Sequence, residues 1–131
     1  MNQTLAFILA RLALAMSMLG HGLVRIPKLN GFSAWMLGKF KDSMLPEVLV
    51  LPFSYALPVA ELLVGVLLLI GWMTRQALVA GAVVMILLIF GSSMIEDWGA
   101  IPSQLIHAAY CCILLVFVDT HNAYAVDKRL R

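Results

Sequence analysis

The sequence predicts an all-α integral membrane protein, a four-helix bundle with a short amphipathic surface helix between its first and second spans. Three observations carry that reading. The 131-residue chain is 63% hydrophobic and only 12% charged, whereas soluble domains are about half apolar and about a quarter charged. Its mean hydropathy is +0.97. Its apolar residues also fall into four long runs, each near the roughly 20 residues a helix needs to cross the hydrocarbon core.

Taken in order, the spans are expected at about 4–24, 48–72, 76–95 and 101–118. Unpaired backbone groups cannot be left in lipid, so each span is read as a helix and not as an open strand. The first run lacks a basic start and carries Arg11 inside it, which argues against a cleaved signal peptide. Thr74 and Arg75 fill a very short turn, so the second and third spans form an antiparallel hairpin. The long stretch from Arg25 to Glu47 contains Phe32, Trp35, Met36 and Phe40 at helical spacing, opposite Lys39, Lys41 and Asp42. That pattern predicts an interfacial helix over about 32–43, lying on the membrane surface or capping the mouth of the bundle. The tail from Asp119 onward reads as short, polar and exposed. The whole of 1–131 makes one membrane domain.

Orientation is not fixed by charge. With the N-terminus inside, Arg75, Lys128, Arg129 and Arg131 are inner cations, while Arg25, Lys28, Lys39 and Lys41 are outer ones, so the positive-inside count ties. Both termini are placed on the cytoplasmic side because the surface-helix loop reads as an outward-facing cap. A net charge of +2 with no basic stripe argues against nucleic-acid binding. The adjacent Cys111 and Cys112 form neither a CxxC pair nor a zinc knuckle and read as packing residues.

Two constellations bear on function. Arg11 and Glu61 are ionisable residues set within spans, where each costs about 2.5–3.5 kcal/mol on insertion scales. Arg11 lies roughly 10 Å into the first span at about 1.5 Å per residue. Glu61 is placed at a similar depth on the antiparallel second span, which predicts a buried Arg11–Glu61 ion pair, either structural or the floor of a polar cavity. Ser54, Pro58, Glu61 and Gly65 share one face of that span. Near the other surface, Gln104, His107 and Cys111 share a face of the fourth span beside Tyr110, and His21 closes the first span. His21, Gln104, His107 and Tyr110 are therefore candidates for one pocket, where imidazoles that titrate near neutral pH can exchange protons. The residues alone leave open a quinone pocket, a small-anion pocket, or hydrogen-bonded histidines with no ligand. A metal is not expected, because two histidines lack a third ligand at their depth.

The segments GHGLVRIPKL, LPEVLVLPFSYALPVAELLVGVLLLIGWMTR, FGSSMIEDW and QLIHAAY, in that order and with an arginine in the first span, resemble the DoxX family. The resemblance runs from Arg11 to about Val118, and it lies in the ordered combination. By position, Arg11, Gly20, His21, Gly22, Lys28, Glu61, Gly65 and Gly71 fall on the family's recurring residues, and Gly20, Gly22, Gly65 and Gly71 are expected to be helix-packing positions. The resemblance implies a four-helix bacterial inner-membrane protein linked to redox chemistry, either a subunit of a quinone-dependent oxidoreductase or an accessory to one. No haem ligand pair, flavin motif or reactive CxxC is evident, so electrons would pass through a bound quinone or a partner redox protein's cofactor. A non-catalytic scaffold that assembles an oxidoreductase, or a homo-oligomer, is the alternative. A small-solute transporter ranks third, since four spans without an internal repeat offer no alternating-access pathway. Whether the chain is itself catalytic stays open.

Overall fold

A computed structural model describes residues 2–130; Met1 and Arg131, the latter counted above among the inner cations, lie outside the described residues. The order is α1 (Asn2–Arg25), a 3-10 turn (Ile26–Lys28), α2 (Leu29–Phe40), α3 (Glu47–Ile70), α4 (Thr74–Met94), α5 (Ile101–His121) and a short α6 (Val126–Arg129). Among the described residues there is no strand, and four helical runs are long and apolar enough to cross a membrane. This is the expected all-helical membrane bundle. Large side chains such as Leu9, Leu63, Ile86 and Val116 point outward, as a lipid-facing surface requires.

Local chemistry sets the helix ends. Pro46, in extended conformation, precedes α3, and Glu47 places its carboxylate in the first turn, where the helix dipole favours an anion. Gly71 ends α3 in the left-handed region (φ 70°), donating its N–H to the carbonyl of Leu67. Pro102 opens α5 within its first turn, where its missing N–H is not needed. Pro58, inside α3, removes one helical bond on the same buried face as Ser54, Glu61 and Gly65. That shared face is the one the spacing predicts.

Glycines fix how α1 crosses α3. A Cβ added at Gly22 would stand 2.6 Å from the backbone nitrogen of Leu62, and one at Gly65 would collide with the backbone of Leu19. The two helices therefore meet backbone to backbone, as small residues permit in membrane bundles. Gly71 is equally tight, against Ala125 and the Arg11 guanidinium. Gly20 has nothing within 4 Å of its absent Cβ, so it is not the packing residue expected of it.

Two other expectations need correction. Helix α2 begins three residues earlier than anticipated and packs along the first half of α3, instead of presenting one aromatic face to the membrane. Ser33 and Met36 are buried there, and the hydroxyls of Ser33 and Ser54 lie 2.7 Å apart. Phe40 reaches Gly91 of α4, while Trp35 stays 55% exposed. The cap reading describes this better than the surface reading. The tail is not an exposed strand of chain either: α5 continues to His121, and Asn122 and Ala125 are buried against the end of the bundle. His121 Nε2 donates to Gln3 Oε1 at 3.1 Å, so both ends of the described chain lie at one end of the bundle.

Candidate functional site

Polar side chains gather at two separate places inside the helices, one at each end of the bundle. At the end formed by the α3–α4 turn, Arg11 is only 2% exposed. Its Nη1 donates to Asn122 Oδ1 at 2.5 Å and its Nη2 to the Tyr124 carbonyl at 3.2 Å. Asn122 Nδ2 in turn donates to Thr74 Oγ1 at 3.0 Å. Asp127 completes the arrangement from α6. Its two carboxylate oxygens accept the N–H groups of Met73 (2.7 Å) and Thr74 (2.8 Å), so a residue distant in sequence caps the start of α4.

At the opposite end, Glu61 is 3% exposed, and both of its oxygens accept from Nη1 of Arg25, at 2.9 and 2.7 Å. The expected Arg11–Glu61 pair does not form. Its partners are in different clusters, because the Gly22–Leu62 and Gly65–Leu19 contacts set the antiparallel register so that the end of α1 meets Glu61. Arg11 and Arg25 are 14 residues apart, roughly 21 Å along the helix, too far for a side chain to bridge. Arg25 reads in the sequence only as one of the outer cations, and its pairing with Glu61 is what sequence reasoning missed. A signal was present: Arg11, Leu14, Met18, Gly22 and Arg25 recur at helical spacing on one stripe, and the first four are buried. The Arg25 guanidinium also lies 4.7 Å from the centroid of the Phe32 ring, and Phe32 stacks on Trp35 at 5.7 Å. Cation and aromatic faces attract in this geometry.

The histidines do come together. Their ring centroids are 6.1 Å apart, edge to face. His21 Nδ1 lies 2.7 Å from the Ser17 carbonyl, and His107 Nδ1 lies 2.7 Å from the Ser103 carbonyl. A carbonyl only accepts, so in both neutral rings Nδ1 carries the hydrogen and Nε2 the lone pair. Ser17 Oγ then donates to His107 Nε2 at 2.6 Å. Gln104 is fixed by donation from its Nε2 to Ser92 Oγ at 2.9 Å, and its Oε1 is buried with no partner among the described residues.

These groups surround a cavity of about 280 Å³ between α1, α2, α3, α4 and α5. His21, Arg25, Glu61, Gln104 and His107 supply its polar wall. Met18, Leu57, Met85 and Leu88 supply apolar wall, and Phe32 and Trp35 of α2 roof it. Tyr110 is not part of it. It is 41% exposed and lines a separate groove of about 220 Å³ with Ala13, Ser17, Ile106 and His107, between α1 and α5. His107 and Tyr110 are three residues apart on α5, and whereas His107 borders both spaces, Tyr110 borders only the outer groove. The cavity can thus hold a compact ligand with an apolar body and a few polar atoms, close to two imidazoles able to take up or release protons. Among the described residues no group of three His, Cys, Asp or Glu side chains could hold a metal ion.

Neither curated proteins nor solved structures provide a match to this chain. The DoxX family model matches residues 6–94, which takes in Arg11, His21, Arg25, Glu61 and every packing glycine named above. Four membrane-spanning helices, a glycine-registered α1–α3 pair and that match together make this chain a member of the DoxX family.

Proposed function

We propose that the protein is a quinone-linked redox subunit or redox-associated accessory protein of the bacterial inner membrane, with the cavity at His21, Gln104 and His107 as its ligand site. The observation that carries this reading is a polar cavity placed between membrane helices and walled by aromatic and apolar side chains. Ligand pockets generally measure roughly 300–1,000 Å³, so about 280 Å³ suits one ring better than a large cofactor. The residues present fit such a ring: the Phe32–Trp35 pair offers a stacking face, and Gln104 Oε1 offers an unused hydrogen-bonding atom.

Interconversion of quinone and hydroquinone moves two electrons and two protons. The electrons belong to a partner redox protein. The protons fall to this chain: His21 Nε2, with its lone pair directed away from the Ser17 carbonyl, is the residue positioned to accept or return one. Glu61 and Arg25 stay paired, and their opposite charges keep the wall close to neutral.

Purification without added quinone, followed by solvent extraction and chromatography, tests the reading. Stoichiometric quinone from the wild type, and its loss from His107→Ala, is the expected result. Recovery of none from protein kept in native lipid throughout overturns it.

A further inference from the structure

The cavity has room for a ring, whereas a quinone dissolved in a bilayer carries a long hydrocarbon chain on its ring. That chain has to leave through one wall. Most seams between the surrounding helices are tied by polar or backbone contacts. Ser17 Oγ donates to His107 across α1 and α5. Ser33 and Ser54 meet at 2.7 Å between α2 and α3, and Gln104 and Ser92 at 2.9 Å between α5 and α4. Between α1 and α3 the backbones touch at Gly22, and Arg25 is bonded to Glu61. A chain passing any of these seams would strand polar groups that are now paired.

The seam between the ends of α2 and α4 is different. A Cβ added at Gly91 would meet two atoms within 4 Å, both of the Phe40 ring, at 3.3 and 3.7 Å. Beyond this seam lies an apolar groove of about 160 Å³. Met36, Phe40, Phe53, Leu87 and Gly91 border both the groove and the cavity, so the two spaces share one wall. Every side chain of the groove is apolar, and Leu49, Leu87 and Phe90 are exposed on spanning helices, which sets its outer side against acyl chains. The groove at Tyr110 shares with the cavity only His107, the residue that Ser17 holds.

We propose that this groove is the tail subsite of the ligand: a ring seated at the histidines sends its hydrocarbon chain between Phe40 and Gly91, into the groove and on to lipid. The protein then takes a tailed, membrane-dissolved ligand that enters sideways from the bilayer, and not a water-soluble one. This rests on the quinone reading above and adds the ligand's tail and its route. A hydrocarbon chain asks for no hydrogen-bonding partner, and the rings of Phe40, Phe53 and Phe90 give it dispersion contacts along the groove.

The experiment photolabels the detergent-purified protein with a decyl-benzoquinone that carries a diazirine on its chain close to the ring, and maps the adducts by peptide mass spectrometry. Adducts are expected on Leu49, Phe53, Leu87 or Phe90, and excess duroquinone, which has no tail, should suppress them by taking the ring site. Gly91→Leu fills the seam, so its affinity for decyl-benzoquinone should fall about tenfold further than its affinity for duroquinone, the scale of overpacking. Tyr110→Trp, which fills the other groove, should change neither. The wild-type labelling decides the matter even where Gly91→Leu fails to fold. Adducts on Ala13, Ile106 or Tyr110 overturn the inference while leaving the quinone reading in place. So does duroquinone binding accompanied by no adduct at the seam, or by seam adducts that duroquinone does not displace, as an ordinary lipid chain would give. Binding of neither quinone removes both.

Discussion

Arg11 and Arg25 lie on one stripe of one helix, and their surroundings differ in almost every respect. Arg11 hydrogen-bonds to neutral oxygens, those of Asn122 and Tyr124, with the Asp127 carboxylate reached through Asn122, and the network around it ties the tail to the α3–α4 turn. Arg25 meets a buried carboxylate, keeps 25% of its side chain exposed, and borders a cavity. A charge inside a membrane protein therefore has no fixed meaning. What it does depends on whether its neighbours fill the space around it or leave some of it open. Here residues of the tail pack directly on the Arg11 guanidinium, whereas the bridging helix α2 only roofs the space beside Arg25.

The comparison is sharpest if one partner of each cluster is removed. Arg25→Met leaves Glu61 buried and unpaired, which should cost about 3–5 kcal/mol of stability. The double variant Arg25→Met with Glu61→Leu should recover most of that loss, measured by thermal unfolding in detergent. A single variant as stable as the wild type would show that Glu61 does not depend on Arg25. Arg11→Met should cost a comparable amount, about 1.5–3 kcal/mol for each of its two hydrogen bonds from a charged donor. It should also expose the segment after His121 to protease while leaving cavity ligands bound. Loss of ligand binding in that variant, with the fold intact, would mean the two ends are coupled.

Register is what keeps the two arginines apart, and it can be tested directly. Gly22→Ala forces a methyl group against the Leu62 backbone and should destabilise by about 1–3 kcal/mol, as overpacking does. Gly20→Ala, with open space around it, should stay within about 0.5 kcal/mol. Smallest of all is the exposed Arg75–Asp119 ion pair near the turn. Arg75→Gln should shift stability by about 0–1 kcal/mol, less at high salt.

Much of the candidate site was legible beforehand. Residues with strong helical spacing were placed well: His21 meets His107, Gln104 shares their cavity, and Ser54, Pro58, Glu61 and Gly65 share a buried face. What failed were inferences that needed one helix positioned along another. Counting inward from the expected ends of two spans pairs Arg11 with Glu61, and an error of a few residues at each end accumulates along both. Counting from the tight Gly22–Leu62 contact would have chosen Arg25, but the sequence does not announce which glycines touch a neighbour; Gly20 and Gly22 look alike in it. Tyr110 fails for a related reason: three residues on from His107 it stays beside that histidine on α5, yet it borders only the outer groove and not the cavity.

By itself the sequence determined the solvent, the number of spans, the helical character of each and the faces that turn inward. Those follow from hydrocarbon length, backbone hydrogen bonding and a period of 3.6 residues, all of which are local. Only the tertiary structure decided which arginine meets Glu61, how the tail seals one end, and that α2 folds along α3 to roof a cavity. Those outcomes depend on helix register, which is set by backbone contacts between residues far apart in the chain.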